Sequence, residues 1–174
     1  MPTGLNRALQ VRTADRLRAE LGRDEATDLP IVGALSEADR RELCDVGGGR
    51  VVAVAICVDG LCAPGGQRAL VMREVARLLN ERVRRTDLLG WLGAQTLIVL
   101  APGIDAVCGR SLAKRLRSML VHAQIELGGT PLELRIRVGC ASRSHASPSS
   151  WTLAALGAEA EFQASEPSAI ATVA

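Results

Sequence analysis

The sequence predicts an α+β domain with the core order β-α-β-β-α-β, in which helices pack on an antiparallel sheet. Three observations predict it. Residues 51–58 form an unbroken apolar run rich in valine, the pattern of a strand buried on both faces. Residues 68–83 and 106–125 carry their apolar side chains at helical spacing. Leu132, Leu134, Ile136 and Val138 alternate with Glu133, Arg135 and Arg137, the period of a half-buried strand.

In chain order, residues 5–22 are rich in helix formers and place Leu5, Leu9, Leu17 and Leu21 as apolar positions before Gly22. That stripe is thin, so the helix either lies on the domain or pairs with a second copy. A loop with Asp24, Asp28 and Pro30 follows, then a polar helix around 36–44 and a Gly47-Gly48-Gly49 break. The strand at 51–58 ends at Asp59-Gly60. After a Pro64-Gly65-Gly66 turn, Val71, Met72, Val75, Leu79 and Val83 share one helical face. Short strands at 88–92 and 96–100 flank Gly93-Ala94 and read as a hairpin. The helix at 106–125 turns Leu112, Leu116, Met119, Leu120 and Ala123 inward. Residues 150–163 read as a last helix and 165–174 as a loose tail. There is no internal repeat. The order is that of a ferredoxin-like arrangement with helices on one face of the sheet, and such a scaffold serves too many functions to define one.

Composition narrows the function classes. The 174 residues are 48% apolar, enough for the core of one domain. Trp91, Trp151 and Phe162 are the only aromatic residues, which argues against a base-stacking surface for single-stranded nucleic acid. The formal charge is +2, and every basic residue but Lys114 is arginine. Arginine forks onto guanine edges and phosphates, but a GC-rich genome produces the same bias. The five cysteines (Cys44, Cys57, Cys62, Cys108, Cys140) show no paired spacing, so neither a disulfide framework nor a zinc site is expected, and a reducing compartment fits. No run approaches the roughly 18 apolar residues of a spanning helix. A cytoplasmic protein that neither inserts in membranes nor binds DNA or RNA is the expectation.

Residues 84–103, RRTDLLGWLGAQTLIVLAPG, carry an R-x-x-D, five residues, a glycine hairpin and an apolar strand ending in proline. Upstream, residues 24–30 (DEATDLP) are similar to D-x-L-T-G-L-P; downstream, Arg137-Val138-Gly139-Cys140-Ala141 is similar to the strand end S-I-G-V-A. In this order the pieces resemble the GGDEF domain of bacterial diguanylate cyclases over roughly residues 24–164, with 1–23 as an N-terminal helix or linker. The resemblance implies a nucleotide-cyclase palm.

It also implies a degenerate copy. The signature hairpin is Gly93-Ala94-Gln95-Thr96-Leu97 and keeps only its first glycine. The two acidic metal-holding positions of the family fall on Cys57 and Thr96, whereas Mg²⁺ and two-metal phosphoryl chemistry want carboxylate oxygens. Asp59 is left nearby as a single carboxylate or a polar strand-end residue. The loop at 61–67 lacks the family's guanine-reading Asn and Asp, and the lysine of its last helix is missing. Cys57 and Cys62 read as small, partly buried residues rather than a metal or redox pair. The chain is therefore expected not to be an enzyme and to use no cofactor.

A second site is retained. Arg84 and Asp87 stand at the spacing of the family's inhibitory R-x-x-D, which binds cyclic di-GMP, and Asp87 lies six residues before Gly93. A guanidinium forks onto guanine O6 and N7, and a carboxylate accepts from N1–H and N2–H₂. Ala113-Lys114-Arg115-Leu116-Arg117 matches the family's A-E-R-I-R segment, which puts Arg115 in the secondary arginine position. The motif alone is weak, since Arg12-Thr13-Ala14-Asp15 repeats it; helix-end cation, turn residue and solvated charge are the plain readings of Arg84, Asp87 and Arg115. Three readings follow: a cyclic di-GMP receptor that signals through a protein partner or self-association, a nucleotide-independent interaction scaffold, and a residual enzyme on another nucleotide.

Overall fold

The computed structural model describes residues 4–59, 65–132, 134–144, 156–157 and 160–161. Its elements are α1 (Gly4–Glu20), α2 (Glu37–Val46), β1 (Arg50–Asp59), α3 (Gly65–Asn80), β2 (Leu88–Gly93), β3 (Thr96–Pro102), α4 (Ala106–His122), β4 (Glu126–Leu127), β5 (Thr130–Pro131) and β6 (Arg135–Ser144). The main sheet has the order β2-β3-β1-β6, with every neighbouring pair antiparallel. This is the expected β-α-β-β-α-β core, and β1 lies at its centre because both of its faces are apolar.

The alternation of β1 divides the interior. Val52, Val54, Ile56 and Val58 pack against Val71, Met72, Val75 and Leu79 of α3 and Leu112, Leu116 and Leu120 of α4. Val51, Ala53 and Ala55 face the other way, against Leu17 of α1, Leu43 and Cys44 of α2, and Leu156 and Ala160. The expectation of helices on one face is thus corrected: α1 and α2 cover the second face. The small Ala53 and Ala55 side chains leave room for them to approach.

Local signals set the element ends. Ser36 caps α2 reciprocally with Asp39, and Asp105 caps α4 by accepting from Cys108 N–H at 2.8 Å. The loop after α1 is closed by Asp24, whose carboxylate accepts from the Thr27 N–H and hydroxyl. It then docks on β2 through Trp91 N–H donating to the Pro30 carbonyl at 2.8 Å.

Three further expectations are adjusted. The last strand starts at Arg135 and runs to Ser144, while Leu132 and Leu134 precede it as partly buried core residues. Glu133 lies outside the described residues. The helix expected to reach 125 ends at His122, and the small β4–β5 hairpin follows, turned by Gly128 and Gly129 at φ +59° and +82°. In α1 the buried face is Gln10, Thr13, Ala14 and Leu17, whereas Leu5 is 75% exposed. Of the four leucines, Leu17 and Leu21 pack on the domain while Leu5 and Leu9 are exposed, and polar groups make much of the remaining contact. Gln10 donates to the Val46 carbonyl at 2.9 Å, Thr13 to Glu42 at 2.7 Å, and Arg16 to Asp39 and Glu42. Residues 60–64, most of the expected last helix and the tail lie outside the described residues.

Candidate functional site

Residues 84–87 form a tight turn between α3 and β2. Asp87 N–H donates to the Arg84 carbonyl at 3.0 Å, and Arg84 N–H donates to Asp87 Oδ2 at 3.0 Å, so main chain and side chain close the same turn. The Thr86 hydroxyl donates to Asp87 Oδ1 at 3.3 Å. Asp87 is only 2% exposed. Burial pushes its carboxyl up from the ordinary value, while the Arg84 N–H and the charges of Arg84 and Arg115 pull the other way.

α4 approaches the turn from the α3 side of the sheet. Its path close to β1 requires Gly109, where a Cβ would lie 2.6 Å from Val52 Cγ1. The turn, the end of β3 and the first half of α4 enclose a cavity of about 260 Å³, lined by Arg84, Asp87, Ala101, Ile104, Cys108, Ser111, Leu112 and Arg115. The three residues singled out from the sequence therefore meet in one cavity. Arg84 and Arg115 are exposed, and neither guanidinium makes a hydrogen bond or ion pair among the described residues. Two cations, one buried carboxylate and a short apolar floor can receive a flat, hydrogen-bonding, anionic ligand.

Sequence reasoning missed the floor residues and Ser111. Ser111 stands one helical turn before Arg115 on the same face, a spacing that could have drawn attention to it. It also missed what holds the turn from behind. Arg18 of α1 donates to the Arg85 carbonyl at 3.0 Å and to the Asp87 carbonyl, and Asp15 pairs with both Arg18 (2.7 Å) and Arg85 (3.0 Å).

The signature-hairpin positions singled out from the sequence gather at the other end of β3. Cys57 lies directly opposite Thr96 and Arg137 in the sheet, and its Sγ is 3.6 Å from Thr96 Oγ1. Burial pushes the Cys57 thiol up. Asp59 is held by Arg137 through both Nε and Nη2, the latter at 3.0 Å from Oδ1, which keeps its carboxyl below the usual range. Arg137, read from sequence as a solvent-face residue, is therefore an ion-pair partner. Gly93 and Ala94 turn the hairpin at φ +139° and +46°, the Gln95 carbonyl accepts from Val58 N–H at 3.1 Å, and Leu97 is buried in the core. These residues do not fit a divalent cation. Thiol and hydroxyl contact each other, and a guanidinium covers the remaining carboxylate.

An antiparallel β2-β3-β1-β6 sheet carrying α3 and α4 defines a nucleotide-cyclase palm. Residues 68–160 match the family described as diguanylate cyclase, GGDEF domain, and the chain belongs to that family. Among solved structures it is similar to the diguanylate cyclase SiaD of Pseudomonas aeruginosa, crystallised with its activator SiaC. The TM-score is 0.71 at 19% identity, over 88% of this chain and 60% of that one. It is also similar to the FimX GGDEF domain of the same organism, with TM-score 0.64 and 16% identity over 82% and 90% of the two chains. The coiled coil and GGDEF domain of DgcB from Caulobacter crescentus, in complex with c-di-GMP, matches at TM-score 0.59 and 18% identity, over 78% and 73%. The chain thus spans about 60% of the length of SiaD. No curated protein matches it. No helix among the described residues is long and apolar enough to cross a membrane.

Proposed function

We propose that this chain is a receptor for cyclic di-GMP that does not synthesise it, binding the nucleotide at Arg84, Asp87 and Arg115. The observation that carries this reading is the pair of unengaged guanidiniums converging on a buried carboxylate at one cavity. By contrast Arg16, Arg18, Arg77, Arg85 and Arg137 are all committed to partners. Arg84 and Arg115 fork onto a guanine edge or a phosphate, and Asp87, with two lone-pair positions already used, accepts from guanine N1–H or N2–H₂ with the others. A cavity of about 260 Å³ is below the roughly 300–1,000 Å³ of sites that enclose a whole ligand. One base would sit inside and the rest of the dinucleotide would lie across α4, where a second copy or a protein partner could reach it. That DgcB was crystallised with c-di-GMP supports the ligand class.

Lack of synthesis is supported by the other end of β3. Cys57 and Thr96 offer no carboxylate, and Arg137 neutralises Asp59 where two-metal chemistry would need anionic oxygen. Calorimetric titration of cyclic di-GMP into wild type and an Arg84→Ala/Asp87→Ala variant tests the reading. Saturable binding by wild type and none by the variant is expected, with no product from GTP and Mg²⁺ or Mn²⁺. Absence of binding to wild type well above micromolar ligand rejects it in favour of a nucleotide-independent scaffold.

A further inference from the structure

The Arg84–Asp87 turn leads into β2, the edge strand of the sheet, and is therefore touched from two sides. On one side its side chains line the cavity with α4. On the other, α1 grips its main chain. Arg18 places one guanidinium nitrogen, Nη2, on two carbonyls of the turn, those of Arg85 and Asp87, while Nη1 is held by Asp15 at 2.7 Å. The second oxygen of Asp15 takes Arg85 at 3.0 Å, so that one carboxylate bridges both arginines. Three contacts across 67 to 70 residues of sequence thus converge on a four-residue turn.

We propose that Arg18, oriented by Asp15, is a positioning residue for the nucleotide site, and that docking of α1 and occupancy of that site are coupled. The inference rests on the reading of the site given above. Its physical basis is that Arg84 and Asp87 carry their ligand groups on a turn whose main chain has few other anchors. Besides the two bonds that close it internally, the hydrogen bonds to its carbonyls come, among the described residues, from Arg18. Fixing the turn before the ligand arrives removes part of the ordering cost of binding. The coupling is reciprocal, so the nucleotide tightens α1 on the domain by the same factor by which docked α1 tightens the nucleotide. A signal that lifts α1 would then release the ligand, and ligand binding would hold α1 on the domain.

Arg16 provides an internal control. It lies on the same helix and is at least as heavily paired, but to Glu20, Asp39 and Glu42 on the α2 side, with no contact to the turn. Calorimetric titration of cyclic di-GMP into wild type, Arg18→Ala and Arg16→Ala separates positioning from general loosening of the helix. Arg18→Ala is expected to bind about tenfold more weakly, the scale of one charge-assisted hydrogen bond at the low end of its range. Arg16→Ala is expected to stay within about twofold of wild type. Equal affinities for Arg18→Ala and wild type, or equal losses in the two variants, would overturn the proposal.

Amide hydrogen exchange without ligand provides a second readout. The Arg84 and Asp87 amides should exchange faster in Arg18→Ala than in Arg16→Ala, and unchanged exchange would also overturn the proposal. If wild type binds no nucleotide, the receptor reading fails, while the exchange result still decides whether Arg18 holds the turn.

Discussion

Asp87 is the residue whose chemistry is most constrained by its surroundings. Its carboxylate is buried, closes its own turn and faces two arginines. Burial raises its pKa above the usual carboxylate value of about 3.9. A carboxylate takes two guanine donors side by side only when ionised, so binding favours the deprotonated form. The sign follows by linkage: affinity is full above the raised pKa and declines as pH falls through it, with proton release on binding in that window. Titrations at descending pH, in buffers of different ionisation enthalpy, should show the decline beginning above the ordinary carboxylate range. An affinity that holds constant down into that range would contradict the role given to Asp87.

Elements, more than single residues, place the site. The loop after α1 lies against β2 because Gly90 lets it: a Cβ there would be 2.1 Å from Val32 Cγ1 and 2.8 Å from the Pro30 carbonyl oxygen. Gly90→Ala should therefore cost about 1–3 kcal/mol, the usual range for overpacking, read as a lower denaturant midpoint at unchanged slope. Stability within a few tenths of wild type would show that the loop moves aside freely. The sequence made β1, α3, α4 and the β2–β3 hairpin legible, because apolar period and turn glycines are local properties. The docking of α1 was not legible. Gln10, Thr13 and Arg16 look like solvent-facing residues until the acceptors on α2, 23 to 36 residues away, are in place. The pairing of Arg137 with Asp59, 78 residues apart, was hidden for the same reason.

At the scale of the whole molecule, the two ends of β3 have different chemistry. Thr96 begins the strand beside Cys57, on the face shared with Ile98, Leu100, α1 and α2; Ala101, near its end, lies on the opposite face beneath the cavity. One end has a thiol against a hydroxyl and the Arg137–Asp59 ion pair, and the other has the Arg84 and Arg115 guanidiniums. The motif spacing in the sequence reached both places, but only the fold brings Arg115 to Arg84 and closes Arg137 over Asp59. The proposed reading, a domain that binds a guanine nucleotide rather than makes one, rests on this distribution. A crystal structure of the chain grown with cyclic di-GMP would show where the nucleotide sits. We predict a guanine in the cavity between Arg84 and Arg115, with Asp87 at its N1–H or N2–H₂ edge. Nucleotide bound instead at Gly93–Leu97 and Asp59, with the Arg84 cavity empty, would contradict the account.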